Sequence, residues 1–408
     1  MRDTNKKQQK KKDQIRVEEL LSLLPDELVS GFVSQTQANK HVKHLSGLLF
    51  IKLLLYGVLK SNKLSTHMLE YFYNSEHFSH LSGKGAHQTR HSSIADRLKR
   101  IPPELFSKLF AHVSAQVQAQ FPAAKSGIAY SIKSFDSTMV AASAALLQEG
   151  MQVGRKSKTG AGKKQLKFSI CLSNGLPCQA SLSATQTYLS EDVALGELLL
   201  STNQQDKTVL VFDRGVSKRA TYEQLTENKH LFVTRLNPSA VYELVGERKL
   251  SKKETAGLWL QADLLVKLFG NKGACTQHSY RLIKAVSKES GEEIWFLSNM
   301  AHAPAAAITE LYRQRWQIEV FFKFLKQHLG LEHLLSYEQK AIEIMLYVRL
   351  IAAMLILIYK QKNQLSSYKI AKEKFVAELE MQLIKQLIAD CGGNPALLTQ
   401  NIGLFKLW

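Results

Sequence analysis

Between Tyr130 and Leu236 the chain runs as three strands, a helix, a strand, a helix and a strand, and this order restricts the fold more than any other feature. Tyr130 to Asp136 alternates. Leu166 to Leu172 and Gln179 to Thr185 read as strands around Asn174-Gly175, a dipeptide suited to a tight hairpin turn. Ser190 to Leu200 is a helix with Glu191 and Asp192 in its first turn, where acids suit the helix dipole. Thr208 to Phe212 is a β-branched, apolar strand, Lys218 to Glu227 a helix, and His230 to Leu236 a fifth strand. The first three strands suit an antiparallel meander. The last two follow helices and suit crossover, parallel pairing. The class is α/β.

Helical patterns flank this layer. From Val17 to about Ala124 they include Leu48 to Leu59, Ser65 to Tyr73, Ser92 to Arg100 and Pro102 to Gln120. Ser92 or Ser93 suits the N-cap of the helix bearing Arg97, Lys99 and Arg100. That helix reads as a DNA groove reader or, equally, as a solvated basic face; the stretch Asn74 to Gln88 is too long for a tight helix-turn-helix. After Leu236, residues 237–299 are mixed and Lys-rich, with a hairpin of Arg281 to Ala285 and Ile294 to Leu297 around Gly291. Pro304 to Ile388 is helical again.

Charge narrows the partners. Lys plus Arg number 54 against 35 Asp plus Glu, a net charge of +19 that attracts polyanions. Residues 1–16 carry seven of these cations in a polar background and read as a basic arm that contacts phosphates without reading sequence. No membrane partner is expected. The apolar run Ile344 to Tyr359 is shorter than the roughly 20 residues of a span, and Arg349 interrupts it. The Lys-rich start lacks a following apolar segment, so no secretory signal is read. Cys171, Cys178, Cys275 and Cys391 form no CxxC pair, which argues against a disulfide framework or zinc site and fits the cytoplasm.

Two carboxylates end strands of the α/β layer: Asp136 after Ser131 to Phe135, and Asp213 after Val209 to Phe212. Open α/β sheets place ligands at such strand ends, although Asp is also common wherever a strand turns. A third carboxylate lies on a helix read from Ile308 to His328. There Tyr312, Glu319 and Lys326 recur at seven-residue steps with Arg315 beside them, while Ile318, Phe322, Leu325 and Leu329 form an apolar stripe. A surface ion pair would account for Arg315 and Glu319 but not for Tyr312 and Lys326.

These residues resemble the DDE transposases of bacterial insertion sequences, in the group named after insertion sequence four. The resemblance rests on FDST around Asp136, VFDRG around Asp213, and Tyr312-x2-Arg315-x3-Glu319-x6-Lys326, the YREK signature of that group. It covers roughly residues 126–360. It implies a ribonuclease H-like catalytic domain over 126–236 and 300–362, interrupted by a β-rich insertion at 237–299. The helical region 17–125 would then bind DNA ends, and 363–408 would be a helical C-terminal segment. It also makes Asp136, Asp213 and Glu319 the catalytic, metal-holding triad. Tyr312, Arg315 and Lys326 become DNA-binding residues.

The chemistry so implied is cleavage of phosphodiester bonds at transposon ends, then attack of the freed 3′-hydroxyl on target DNA. Hard carboxylate oxygens suit two Mg²⁺ ions, with Mn²⁺ as substitute, and no His or Cys cluster competes in the sequence. The expected partners are double-stranded DNA, both terminal inverted repeats and target, and a second copy of the chain in a synaptic homodimer. The expected location is the bacterial cytoplasm, at the nucleoid. A non-catalytic DNA-binding protein and a different nuclease on the same fold are the alternatives. Trp295, in an apolar strand, reads as a core residue rather than a base-stacking one.

Overall fold

The computed structural model describes residues 14–82, 87–121, 130–143, 146–147, 149–153, 163–203, 207–255, 257–270 and 273–400. All but three residues of the basic arm at 1–16 lie outside that set. The chain divides into two compact units, residues 1–122 with 324–408, and residues 123–323.

Among the described residues the N-terminal part of the first unit holds seven helices: α1 (Val17–Leu21), α2 (Asp26–Gln35), α3 (Gly47–Lys60), α4 (Thr66–Asn74), α5 (Glu76–Ser82), α6 (His91–Arg100) and α7 (Pro103–Gln120). Ser46 and Ser65 cap α3 and α4, each hydroxyl accepting a backbone N–H three residues on. Neither Ser92 nor Ser93 caps α6. The helix begins at His91, whose N–H donates to Glu70 of α4 at 2.8 Å. Arg97 is not a groove reader either. It is buried, donating to the carbonyls of Leu45 (3.1 Å) and Ala38, because these loop carbonyls have no helical partner and a guanidinium satisfies two at once.

Among the described residues the second unit holds eleven strands: β1 (Ser131–Ser143), β2 (Met151–Val153), β3 (Lys163–Ser173), β4 (Leu176–Ser183), β5 (Thr208–Phe212), β6 (Leu231–Leu236), β7 (Tyr242–Arg248), β8 (Glu254–Thr255), β9 (Leu258–Leu268), β10 (Tyr280–Ser287) and β11 (Glu293–Ser298). Helices α8 (Glu191–Leu200), α9 (Arg219–Glu227) and α10 (Ala305–Arg313) accompany them. One sheet runs β2-β3-β1-β5-β6-β11-β10-β9-β7, with β4 on β3 and β8 on β9. As expected, β1, β3 and β4 are antiparallel and β1, β5 and β6 parallel. Asn174 and Gly175 turn the β3–β4 hairpin with φ of 51° and 84°, the left-handed pair such a turn requires.

Residues 237–299 do not form a sheet of their own. The hairpin β10–β11 joins the parental sheet through β11, antiparallel to β6, and β9 and β7 extend it further. Within this extension Arg281 clamps Asp263 through two hydrogen bonds, and both side chains are almost fully buried. Trp295 is a core residue, 6% exposed, its Nε1 donating to Glu293.

Both sheet faces are covered. Phe135, Leu210, Phe212 and Phe232 pack with Leu195, Leu199, Tyr222 and Leu225 of α8 and α9. On the opposite face, Ile132, Val209, Val211 and Val233 pack with Ile308 and Leu311 of α10. Every residue of β5 is therefore buried, which explains the unbroken apolar run from Val209 to Phe212.

Helix α11 (Trp316–His328) starts in this second unit and ends in the first, where α12 (Gln339–Lys362), α13 (Tyr368–Asp390) and α14 (Leu397–Gln400) follow. Helix α12 is longer than the run at 344–359, and by length and composition it could cross a membrane. Yet 89% of its most apolar window is buried inside the protein. Arg349, rather than interrupting the helix, is buried and donates to the carbonyls of Leu329 and His333. This is a core helix. It groups with the helical unit, whereas residues up to 362 were expected with the α/β layer.

Candidate active site

Asp136 does not end its strand. Strand β1 continues to Ser143 beside β3, while its parallel pairing with β5 stops at Ser134 and Val211. Asp136 therefore stands where β1 outruns its shorter neighbour, with a side open for a ligand. Asp213 follows Phe212, the last residue of β5, and its Oδ1 accepts the Gly215 N–H at 2.9 Å. The Thr234 hydroxyl of β6 donates to the Asp213 carbonyl at 3.0 Å and ties this turn to the sheet.

Glu319 lies in the first turn of α11. The single helix read from Ile308 to His328 is in fact two, α10 and α11, broken at Gln314 and Arg315. Across the break the amides of Arg315, Gln317 and Ile318 bond three residues back instead of four, which tightens the turn and changes the helix phase. Tyr312, Arg315 and Glu319 nonetheless line one cleft across it. The break delivers Arg315 to two carboxylates: it donates to Glu319 Oε1 and lies 3.4 Å from Asp136 Oδ2. Its side chain is 15% exposed, so this is no surface ion pair.

Tyr312 packs edge-on against Phe296, with ring centroids 5.3 Å apart. The guanidiniums of Arg315 and Arg235 lie over its ring at 5.7 and 5.8 Å. Burial pushes its phenol up, so it is a neutral donor at physiological pH. Lys326, in the last turn of α11, pairs with Glu332 at 3.1 Å. A cleft of about 440 Å³ opens beside these residues, lined among others by Arg235, Tyr312, Arg315, Trp316 and Glu319. Trp316 is 65% exposed at its edge.

A fourth carboxylate was hidden in the sequence. Glu191, read as a dipole-favouring acid, has Oε1 3.3 Å from the Ser137 hydroxyl that donates to it. Its Oε2 faces Gly215, beside Asp213. The connectivity held a signal: β4 runs parallel to β1, so the helix after it must begin at the edge where β1 and β5 present their aspartates. Burial, with Asp213 and Glu191 nearby, pushes the Asp136 carboxyl up to about 6 despite the Ser137 N–H and Arg315. Carboxylates held this close call for a proton, an arginine or a cation between them. Their hard oxygens suit Mg²⁺ or Mn²⁺. In the helical unit the fold also brings together the donor atoms of His67, Glu70 and His91, within 4.8 Å of one another; there Glu70 already accepts the N–H that starts α6.

The Transposase DDE domain family model matches residues 128–355, more than half of the chain. The chain belongs to the DDE transposase family. The chain is 25% identical over 299 residues to the probable transposase for insertion sequence element IS5377 of Geobacillus stearothermophilus, a match spanning 72% of this chain and 73% of the relative. It is also 25% identical over 273 residues to the candidate transposase y4zB of Sinorhizobium fredii, spanning 67% and 72%. A shorter match, 38% identical over 76 residues, joins it to the transposase for insertion sequence element IS231F of Bacillus thuringiensis subsp. israelensis, over 16% of each chain. The family match takes in Asp136, Asp213, Glu319 and the YREK residues, and with them the sheet edge on which the carboxylates converge.

Proposed function

We propose that this protein binds the ends of its own insertion sequence, cleaves the phosphodiester bonds there and joins the freed 3′-hydroxyls to target DNA. The carrying observation is convergence. Asp136 from β1 and Glu319 from α11 share one arginine, and Asp213 stands at the neighbouring strand end, although the chain separates the outer pair by 183 positions. The reading takes the unit 123–323 as a ribonuclease H-like catalytic domain.

In this reading Asp136, Asp213 and Glu319 hold two Mg²⁺ ions, with Mn²⁺ as substitute. Such ions, when bound, lower the cost of charge on the attacking and leaving oxygens of a phosphodiester. The chain's own residues do the rest. Arg315 neutralises Asp136 and Glu319 in the DNA-free protein and turns to a phosphate when DNA enters. Tyr312, braced by Phe296 and neutral, donates a hydrogen bond to a phosphate oxygen. Lys326 exchanges Glu332 for a phosphate farther along the strand. The helical region 17–125 and the basic arm bind the terminal repeats, and two copies pair the two ends. The setting is the bacterial cytoplasm.

The test uses the DNA that flanks the reading frame. A labelled fragment carrying that flank is incubated with the full-length protein, Mg²⁺ and a supercoiled target plasmid. The expected products are a cut at the element boundary and joining through the 3′-hydroxyl. Cutting without joining would leave a nuclease; shifting without cutting would leave a DNA-binding protein.

A further inference from the structure

Glu191 is placed by contacts that a mere dipole-favouring acid does not need. It is the first residue of α8, and the next residue locks that helix end to the loop after Asp213. Asp192 Oδ1 accepts the N–H groups of Ser217 and Lys218, and its Oδ2 accepts the Ser217 hydroxyl at 3.0 Å. With its backbone so fixed, Glu191 is aimed at the sheet edge. One oxygen accepts from Ser137, the residue after Asp136. The other faces Gly215, two residues beyond Asp213. A Cβ at Gly215 would collide with Glu191 Oε2 and stand 2.9 Å from Asp213 Oδ1. The two carboxylates thus close on one small space that only a glycine leaves free.

Among the described residues no cation closes on that space. Among the described residues none forms an ion pair with Glu191, and Arg315 is engaged by Asp136 and Glu319. The Lys167 ammonium, whose field reaches both Glu191 and Asp213, donates to the Leu189 carbonyl at 2.7 Å. Two half-buried carboxylates without a paired cation repel one another at a cost that grows as water is excluded. Hard oxygens crowded in this way are the donor set that a small divalent ion takes.

We propose that Glu191 is a fourth metal-holding residue of the active site, sharing a divalent cation with Asp213 across the notch at Gly215. This rests on the reading that Asp136, Asp213 and Glu319 hold such ions, and it adds a ligand from a helix the family signature does not touch. It also gives Ser137 a role: its hydroxyl fixes one Glu191 oxygen so that the other stays turned to Asp213.

The test is binding of Mn²⁺ alone to the full-length protein by isothermal titration, with melting curves in EDTA and in Mn²⁺. Glu191→Gln keeps the side chain's shape and an oxygen for Ser137 but removes its charge. The expected result is Mn²⁺ affinity weakened about tenfold or more, with a higher melting temperature in EDTA and a smaller rise on adding Mn²⁺. Asp213→Asn is the reference and should lose affinity too. If Asp213→Asn weakens Mn²⁺ binding and Glu191→Gln does not, Glu191 is only an anchor for Ser137, and the proposal falls while the triad stands. If wild type takes up no Mn²⁺, or if Asp136→Asn, Asp213→Asn and Glu319→Gln all bind it normally, the cation-holding reading fails and takes this proposal with it.

Discussion

Glu191 Oε2 occupies the place that a Cβ on Gly215 would need, although Glu191 begins α8 and Gly215 lies in the turn after β5. The contact makes Gly215→Ala a sharp probe of the notch, because its methyl group must displace one carboxylate or the other. We expect a loss of stability of about 1–3 kcal/mol, the usual cost of overpacking, together with weaker Mn²⁺ uptake. Thermal melting and Mn²⁺ titration check both. A variant that melts and binds as wild type would mean that the notch has slack.

Asp136 gives the protein a pH dependence with a definite sign. Its carboxyl titrates at about 6 in the folded chain against an ordinary 3.8, so the unfolded chain releases that proton first. The contribution to stability is therefore greatest below pH 4, declines between about 4 and 6, and is fully lost above that window. Asp136→Asn keeps an acceptor for the Ser137 N–H and cannot ionise. In EDTA it should be more stable than wild type at pH 7.5, by on the order of 2 kcal/mol, and should match it at pH 4. Denaturant melts at the two pH values measure this; equal stability at pH 7.5 would show that Arg315 fully compensates the charge.

Arg315 faces Asp136 and Glu319 together, which a single ammonium cannot reproduce. Arg315→Ala should cost about 1–3 kcal/mol in EDTA by leaving two carboxylates without their counter-charge. Arg315→Lys should recover less than half of that. Adding Mn²⁺ should stabilise Arg315→Ala more than wild type, because a cation then replaces the guanidinium. Melting curves of the three proteins with and without Mn²⁺ decide it.

Much of this arrangement was legible in the sequence, and the exceptions have physical reasons. Strand and helix order, the Asn174-Gly175 turn and the family signature depend on local chemistry and short spacing. Arg97 and Arg349 read as surface charge or as an interruption, yet each is buried on two backbone carbonyls, a pairing that only tertiary structure supplies. Periodicity carried the helix through Arg315 because no glycine or proline marks the break; the tightened hydrogen bonds around it have no sequence signature. Glu191 was hidden by a rule that fits its position equally well, the preference of acids for helix N-termini.

The buried pair Asp263 and Arg281 should decide whether β9 and β10 extend the sheet firmly. Both side chains are at most 5% exposed, and Arg281 also donates to the carbonyls of Met300 and Ala303. Asp263→Ala should cost about 3–5 kcal/mol by stranding a buried guanidinium. The double variant Asp263→Leu with Arg281→Met should regain much of that. Urea melts of the single and double variants test it, and a loss below 1 kcal/mol in the single variant would mean that water reaches the site.

In the proposed function Asp136, Asp213 and Glu319 act in the chemistry rather than in holding DNA. Alanine variants of each should be compared with wild type on a labelled fragment of the element's own end. Cleavage in Mg²⁺ and gel-shift affinity are measured on the same samples. Each variant should lose cleavage while its DNA affinity stays within a few-fold, since cation ligands act mainly on the transition state. Substantial cleavage by any one of the three would remove that residue from the site.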